Sequence, residues 1–172
     1  MIKKAQIKPG QKILDLGSGT GDLAREARNS VKGVQITAAD FTFEMLRAGK
    51  EWQNIQICNA DALKLPFSDD TFDVLISGFL MRNVADIPAA LSEQFRTLKP
   101  GGRLVILDTT RPRKNILSPL INFYLNRIIP AAGALVARQK DASTYLPHST
   151  QNFLSAESLA EKITEAGFQV EK

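Results

Sequence analysis

An α/β fold built on an open, doubly wound, mostly parallel sheet is the architecture that the sequence predicts. Three observations carry it. Short apolar runs alternate with longer segments of helical periodicity, the pattern of strand–helix–strand crossovers. The first run ends in a glycine-rich turn, Gly17-Ser18-Gly19-Thr20-Gly21, that opens a helix. The chain has 172 residues, 44% of them hydrophobic, which suits one domain with a core and excludes a disordered polymer.

In order along the chain, the first strand is expected at Lys12-Ile13-Leu14-Asp15-Leu16, apolar and closed by the glycine turn. Further buried strands are expected over 34–39, 55–58, 72–77 and 103–107. Asp86 is placed to cap a helix, with Pro88 in its first turn and Ile87, Leu91, Phe95 and Leu98 spaced along one face. That helix is expected to stop at Lys99, because Pro100 disfavours helical backbone before it and Gly101-Gly102 make a turn. A last helix is expected from Ser155 as N-cap, through Leu159 and Ile163, to Gly167 as C-cap.

Residues 111–150 break this rhythm. They follow the fifth strand as an insertion, apolar and basic, interrupted by Pro119 and Pro130. Six of the 22 basic residues fall there (Arg111, Arg113, Lys114, Arg127, Arg138 and Lys140), and 111–140 holds no acid. The remaining 16 basic residues face 18 acidic ones, so the net charge of +4 belongs to this segment and does not describe a nucleic-acid-binding surface. One cysteine, Cys58, excludes a disulfide scaffold and points to a reducing, cytoplasmic setting; its plain reading is a small buried strand residue. No run approaches the ~18–20 apolar residues of a membrane span, and no metal-ligand spacing is visible.

The glycine turn carries the chemistry. A dinucleotide fingerprint would place its third glycine at 22, where Asp22 stands, and a triphosphate loop would need Gly-Lys-Ser/Thr, which is absent. No Lys or Arg is present in the turn to meet a phosphate, and Asp15 suits a cationic ligand better. S-adenosylmethionine, with its ammonium and sulfonium, fits those electrostatics. Asp40 ends the second strand, 19 residues after Gly21, where a carboxylate can accept both ribose hydroxyls. Asp61 follows the third strand, where the adenine edge would lie; singly, each acid also reads as a turn or capping residue.

Lys8 to Gly21, Leu65-Pro66-Phe67, Phe72-Asp73 and Leu98-Lys99-Pro100-Gly101-Gly102 resemble the class I S-adenosylmethionine-dependent methyltransferases, a Rossmann-like superfamily. The resemblance implies that Asp15, Gly17, Ser18, Gly19, Asp40, Phe41, Asp61, Ala62 and Gly78 line the cofactor site. Arg82-Asn83-Val84 and Tyr145-Leu146-Pro147-His148-Ser149 further resemble the quinone-ring C-methyltransferases of menaquinone and ubiquinone synthesis. Leu80-Met81 replace the common Gly-Leu there, and Asp108-Thr109-Thr110-Arg111-Pro112 replaces Glu-Phe-Ser-Lys-Pro. The implied substrate is a lipophilic, polyprenylated quinol of the demethylmenaquinol type. Arg82, Asn83 and Tyr145 are the expected catalytic residues. Arg82 would stabilise a phenolate or polarise a water, Asn83 would fix that water or the ring oxygen, and Tyr145 would stack on or bond to the ring.

Other readings stay open. Arg82 can pair with Asp86 at a helix start, Asn83 can be a turn residue, and Tyr145 can pack within a lid. His148 reads as a solvent-facing loop residue. The basic insertion suits an anionic bilayer face, giving peripheral contact at the inner membrane surface, or a solvated lid over the pocket. O- or N-methylation of another small molecule is the alternative enzymatic reading, and a cofactor-binding remnant the non-enzymatic one. The superfamily sheet ends in an antiparallel strand pair and its members usually carry a further N-terminal segment. Five residues follow Gly167 here, where two strands and a connection need roughly fifteen to twenty-five. Most of that pair is therefore expected to be missing, with the fifth strand an open edge or covered by a neighbouring molecule in a homo-oligomer.

Overall fold

A computed structural model describes residues 1–110 and 153–171. They fall in two compact units, one of residues 1–108 with 162–172 and one of residues 109–161. Five strands form one sheet among the described residues: β1 (Lys12–Leu16), β2 (Gln35–Asp40), β3 (Ile55–Asn59), β4 (Phe72–Gly78) and β5 (Leu98–Leu107). Their order is β3-β2-β1-β4-β5 and every pairing is parallel. The α-helices among the described residues are α1 (Ile2–Ala5), α2 (Asp22–Ser30), α3 (Phe43–Ala48), α4 (Ile87–Thr97) and α5 (Ala156–Glu165). The chain order reverses between β1 and β4, so a crevice opens at the C-terminal ends of those two strands.

The central strands β1 and β4 are buried on both faces, which is why they read as nearly unbroken apolar runs, whereas the edge strands β3 and β5 are largely half-buried or exposed. Ile13, Ile36, Val74 and Ile76 pack with Ala24 and Ala27 of α2 and with Ile2 and Ala5 of α1. Leu14 and Leu75, partners across β1 and β4, are likewise fully buried. Each such side chain contributes about 2 kcal/mol of transfer free energy. The small alanines of α2 let that helix lie close to the strands. The short helix α1 has no counterpart in the sequence reading, because four residues are too few to show a period.

Two expectations need correction. The buried side of α4 carries Ala90, Leu91, Gln94 and Thr97, whereas Phe95 is exposed and meets Phe168 edge-on at 5.1 Å. Apolar spacing placed Phe95 in the core, yet Thr97 and Gln94 occupy it, Thr97 by bonding its hydroxyl to the Glu93 carbonyl at 2.9 Å. β5 also starts earlier than Arg103. Leu98 pairs with Phe72 and Arg103 with Val74, so Lys99 to Gly102 bulge out of the ladder between two rungs. The Lys99 ammonium reaches Asp73 Oδ1 at 2.8 Å, while Asp73 Oδ2 accepts the Lys12 backbone N–H at 2.8 Å. One carboxylate thereby ties β1, β4 and the bulge together, and these bonds hold its pKa below the usual value.

Asp86 caps α4 as expected, its Oδ1 accepting the Ala89 N–H at 3.0 Å. The Ser155 hydroxyl accepts the Ser158 N–H at 3.1 Å at the start of α5. The other end of α5 closes at Gly167 through bonds from Gly167 N to Thr164 O and from Phe168 N to Ile163 O. Cys58 lies in β3 but is half-buried, because β3 is a sheet edge. β5 is the other edge: among the described residues no strand pairs with its outer side. A groove of about 1070 Å³ runs there, lined by β5, Phe95 and residues 167–171. The expected insertion at 111–150, with His148, lies outside the described residues.

Candidate active site

The glycine turn is shaped by backbone bonds across the top of the sheet. Gly17 N and Ser18 N both donate to the Ala39 carbonyl, at 2.8 and 3.0 Å, which folds the chain back over β2. Gly17 has φ +71°, and a Cβ there would stand 3.0 Å from Leu80 Cδ1. Gly21 has φ +86°, and a Cβ there would stand 2.4 Å from the Trp52 ring. Side chains at either position would demand movement of a packed neighbour. Trp52 is itself anchored by its indole N–H to the Leu46 carbonyl at 3.1 Å, so it braces the turn from behind.

Asp15 sits on β1 beneath the turn, fully buried. Its Oδ2 accepts the Ala24 N–H at 2.9 Å, so it satisfies one of the free amides that open α2. Its Oδ1 has no hydrogen bond among the described residues, and neither do the buried hydroxyls of Ser18 and Ser77. Burial pushes the Asp15 carboxyl up to about 7; the Ala24 N–H opposes this, and the charges of Asp40 and Asp22 add to it. A buried carboxylate with one unsatisfied oxygen is a place for a cation.

The other expected cofactor residues gather along the same strand ends. Asp40 Oδ2 accepts the Gly19 N–H and Oδ1 accepts the Thr42 N–H, both at 2.8 Å. Asp40 therefore builds the turn with both oxygens, and a carboxylate has lone pairs left for further donors. Phe41 follows it with 74% of its surface exposed. The Asn59 amide donates to the carbonyls of Asp40 and Phe41 at 2.8 Å each, fixing that rim against β3. Asp61 Oδ1 accepts the Leu63 N–H at 2.9 Å in a tight turn, and Ala62 beside it is buried. Gly78 ends β4, where a Cβ would stand 2.8 Å from Leu23 Cδ1 of α2.

Beyond Gly78 the chain makes a single 3-10 turn, Met81–Asn83. Arg82 does not pair with Asp86. It forms a buried ion pair with Asp108, just past β5, with Nη1 to Oδ1 at 2.9 Å. The Asn83 amide donates to the Phe79 carbonyl at 3.0 Å. Tyr145 lies outside the described residues. Asp108 is the residue that sequence reasoning passed over as a functional candidate. Its signal was the one that marked Asp40, an acid at the C-terminal end of an apolar run. The orphaned polar atoms, the glycine-rich turn and the acid beneath it form a set that fits S-adenosylmethionine, whose cationic end Asp15 could hold.

The ubiE/COQ5 methyltransferase family matches residues 1–172. Among curated relatives, the ubiquinone/menaquinone biosynthesis C-methyltransferase UbiE of Desulfotalea psychrophila is 44% identical over 98% of this chain and 70% of its own. The demethylmenaquinone methyltransferase of Thermus thermophilus is 38% identical over 98% of this chain and 79% of its own. Among solved structures, a SAM dependent methyltransferase from Aquifex aeolicus superposes with TM-score 0.69 over 99% of this chain and 79% of its own. At 19% identity that last likeness speaks to the fold alone. With the glycine turn, the acids at the strand ends and a match along its whole length, the chain belongs to the ubiE/COQ5 methyltransferase family.

Proposed function

We propose that the protein transfers a methyl group from S-adenosylmethionine to a ring carbon of a polyprenylated quinol of the demethylmenaquinol type. The observation that carries this reading is the family match over residues 1–172. It supports an S-adenosylmethionine-dependent C-methyltransferase with a lipophilic quinol substrate, in line with relatives named as a ubiquinone/menaquinone biosynthesis C-methyltransferase and a demethylmenaquinone methyltransferase. When bound, S-adenosylmethionine supplies an electrophilic methyl on its sulfonium.

The residue roles follow from chemistry. Asp15 holds the ammonium end against its unsatisfied oxygen, Gly17, Ser18 and Gly19 let the ligand approach the backbone, and Asp40 takes the ribose hydroxyls. Phe41 offers its exposed ring to the adenine, with Asp61 and Ala62 at its edge, while Gly78 leaves room at the end of β4. A ring carbon becomes nucleophilic when the neighbouring hydroxyl loses its proton. Arg82 offers a cationic guanidinium with five N–H donors and no acceptor, so it stabilises the developing quinolate oxygen and does not serve as base. Asn83 orients the ring oxygen or a water beside it, and Tyr145 contacts the ring.

The test is direct. Protein, S-adenosylmethionine and a reduced short-chain demethylmenaquinone should yield a product heavier by one methyl on carbon. A methyl found on oxygen or nitrogen, or cofactor binding without turnover of any quinol, rejects the reading. Two further proposals concern partners. The six basic residues of 111–140 draw the enzyme to anionic lipid, where such a substrate resides, at the inner membrane face. The side of β5 that no described strand covers pairs with a second copy.

A further inference from the structure

The turn after β4 is tied to the end of β5 through one side chain. Asp108 Oδ1 accepts from Arg82 Nη1 at 2.9 Å, and Asp108 Oδ2 accepts the Arg82 backbone N–H at 3.2 Å. The two side chains are 1% and 7% exposed, Asp108 the deeper. The guanidinium carbon stands 4.9 Å from the centre of the Phe79 ring. Phe79 in turn donates its N–H to the Leu107 carbonyl at 2.7 Å, one residue before Asp108. Leu80 of the same turn packs where a Gly17 side chain would be, so this clamp adjoins the cofactor turn.

We propose that Asp108 is a positioning residue for methyl transfer: by holding both the backbone and the guanidinium of Arg82, it keeps that cation beside the crevice in the orientation the quinolate oxygen requires. The inference rests on the role given to Arg82 above. A guanidinium buried alone would be driven toward water, whereas the neutral pair can stay inside. Fixing both groups beforehand also means that little has to reorganise as charge develops on the substrate oxygen. The hold is bidentate across backbone and side chain, so loss of the carboxylate removes two bonds to Arg82 at once.

Asp108→Asn, Asp108→Ser, Asp108→Glu and Arg82→Lys are compared with the wild-type full chain, using S-adenosylmethionine binding by calorimetry and kcat and KM for a short-chain demethylmenaquinol. Asp108→Asn and Asp108→Ser should keep cofactor Kd and quinol KM within about threefold while kcat falls by about 30-fold or more, the scale of a displaced catalytic group. Asp108→Glu, which keeps the carboxylate, should recover at least about a tenth of wild-type kcat. If one uncharged variant does not bind cofactor, the other decides. Loss of cofactor binding in both, or wild-type kcat in either, overturns the proposal. Arg82→Lys with wild-type kcat rejects the role of Arg82 itself; Arg82→Lys inactive beside a fully active Asp108→Asn rejects only the role of Asp108.

Discussion

At the scale of single residues, the most consequential group is Asp15. Its carboxyl titrates near 7 in the folded chain and near 3.8 when exposed, so the folded state binds the proton more tightly. The free protein is therefore predicted to lose stability from this group as pH rises from about 4 to 7, by up to about 4 kcal/mol, with the penalty fully present above 7. A cationic ligand reverses the preference, because it favours the ionised form. S-adenosylmethionine affinity should rise between pH 6 and 8, and calorimetry in buffers of different ionisation enthalpy should show proton release near neutrality. Asp15→Asn should flatten the pH dependence of urea unfolding and weaken cofactor binding about tenfold or more. Cofactor affinity that is independent of pH in the wild type would remove this account. Asp40 was legible as a candidate because it ends an apolar run, and Asp15 because an acid beneath a glycine turn without Lys or Arg suits a cation. The Arg82–Asp108 pair was not, since 26 residues separate its members and only the packing of β4 beside β5 joins them.

At the scale of elements, α4 does more than cover the sheet. Arg96 donates to the carbonyls of Leu65 and Phe67 at 3.1 and 2.8 Å and to Asp69 and Glu93. Glu93 Oε2 accepts the Leu65 N–H at 2.7 Å, and its pKa is held below the ordinary value chiefly by Arg96. The Leu65-Pro66-Phe67 segment is thus laid on the helix by its backbone, leaving Leu65 buried and Phe67 edge-on to Phe72 at 5.0 Å. The motif was visible in the sequence, but its partner was not, because the contacts go to main-chain atoms that carry no sequence signal. Arg96→Ala is predicted to lower stability by about 2 kcal/mol, with amide exchange accelerated over residues 63–68 and cofactor affinity unchanged. Equal protection in both proteins would show the segment to be held otherwise. α4 also shows why apolar spacing misplaces a face: Gln94 and Thr97 enter the interior by bonding to Met81 Sδ and to the helix's own carbonyls, and Phe95 is displaced outward.

At the scale of the whole molecule, sheet type was legible because parallel strands leave long apolar runs and the glycine turn marks the first crossover; the spatial order β3-β2-β1-β4-β5 came from the structure. What the sequence understated was the fifth strand, whose ladder resumes across Lys99 to Gly102 only because Leu98 pairs back to Phe72. The concentration of positive charge in 111–140 predicts a salt-dependent association: the protein should sediment with vesicles containing anionic lipid at low salt and leave them at about 0.5 M salt. Equal recovery with neutral vesicles would assign the charge another use. Sedimentation equilibrium tests the pairing at β5, which predicts a dimer that a proline at Val105, in the middle of that edge, converts to monomer. The chain has a single tryptophan, and its indole is wedged against Gly21 and within reach of Gly49. Because no other indole contributes to its emission, the protein carries its own optical gauge: one fluorescence signal, unlabelled, can follow both ligand arrival at the glycine turn and the loss of the fold around it.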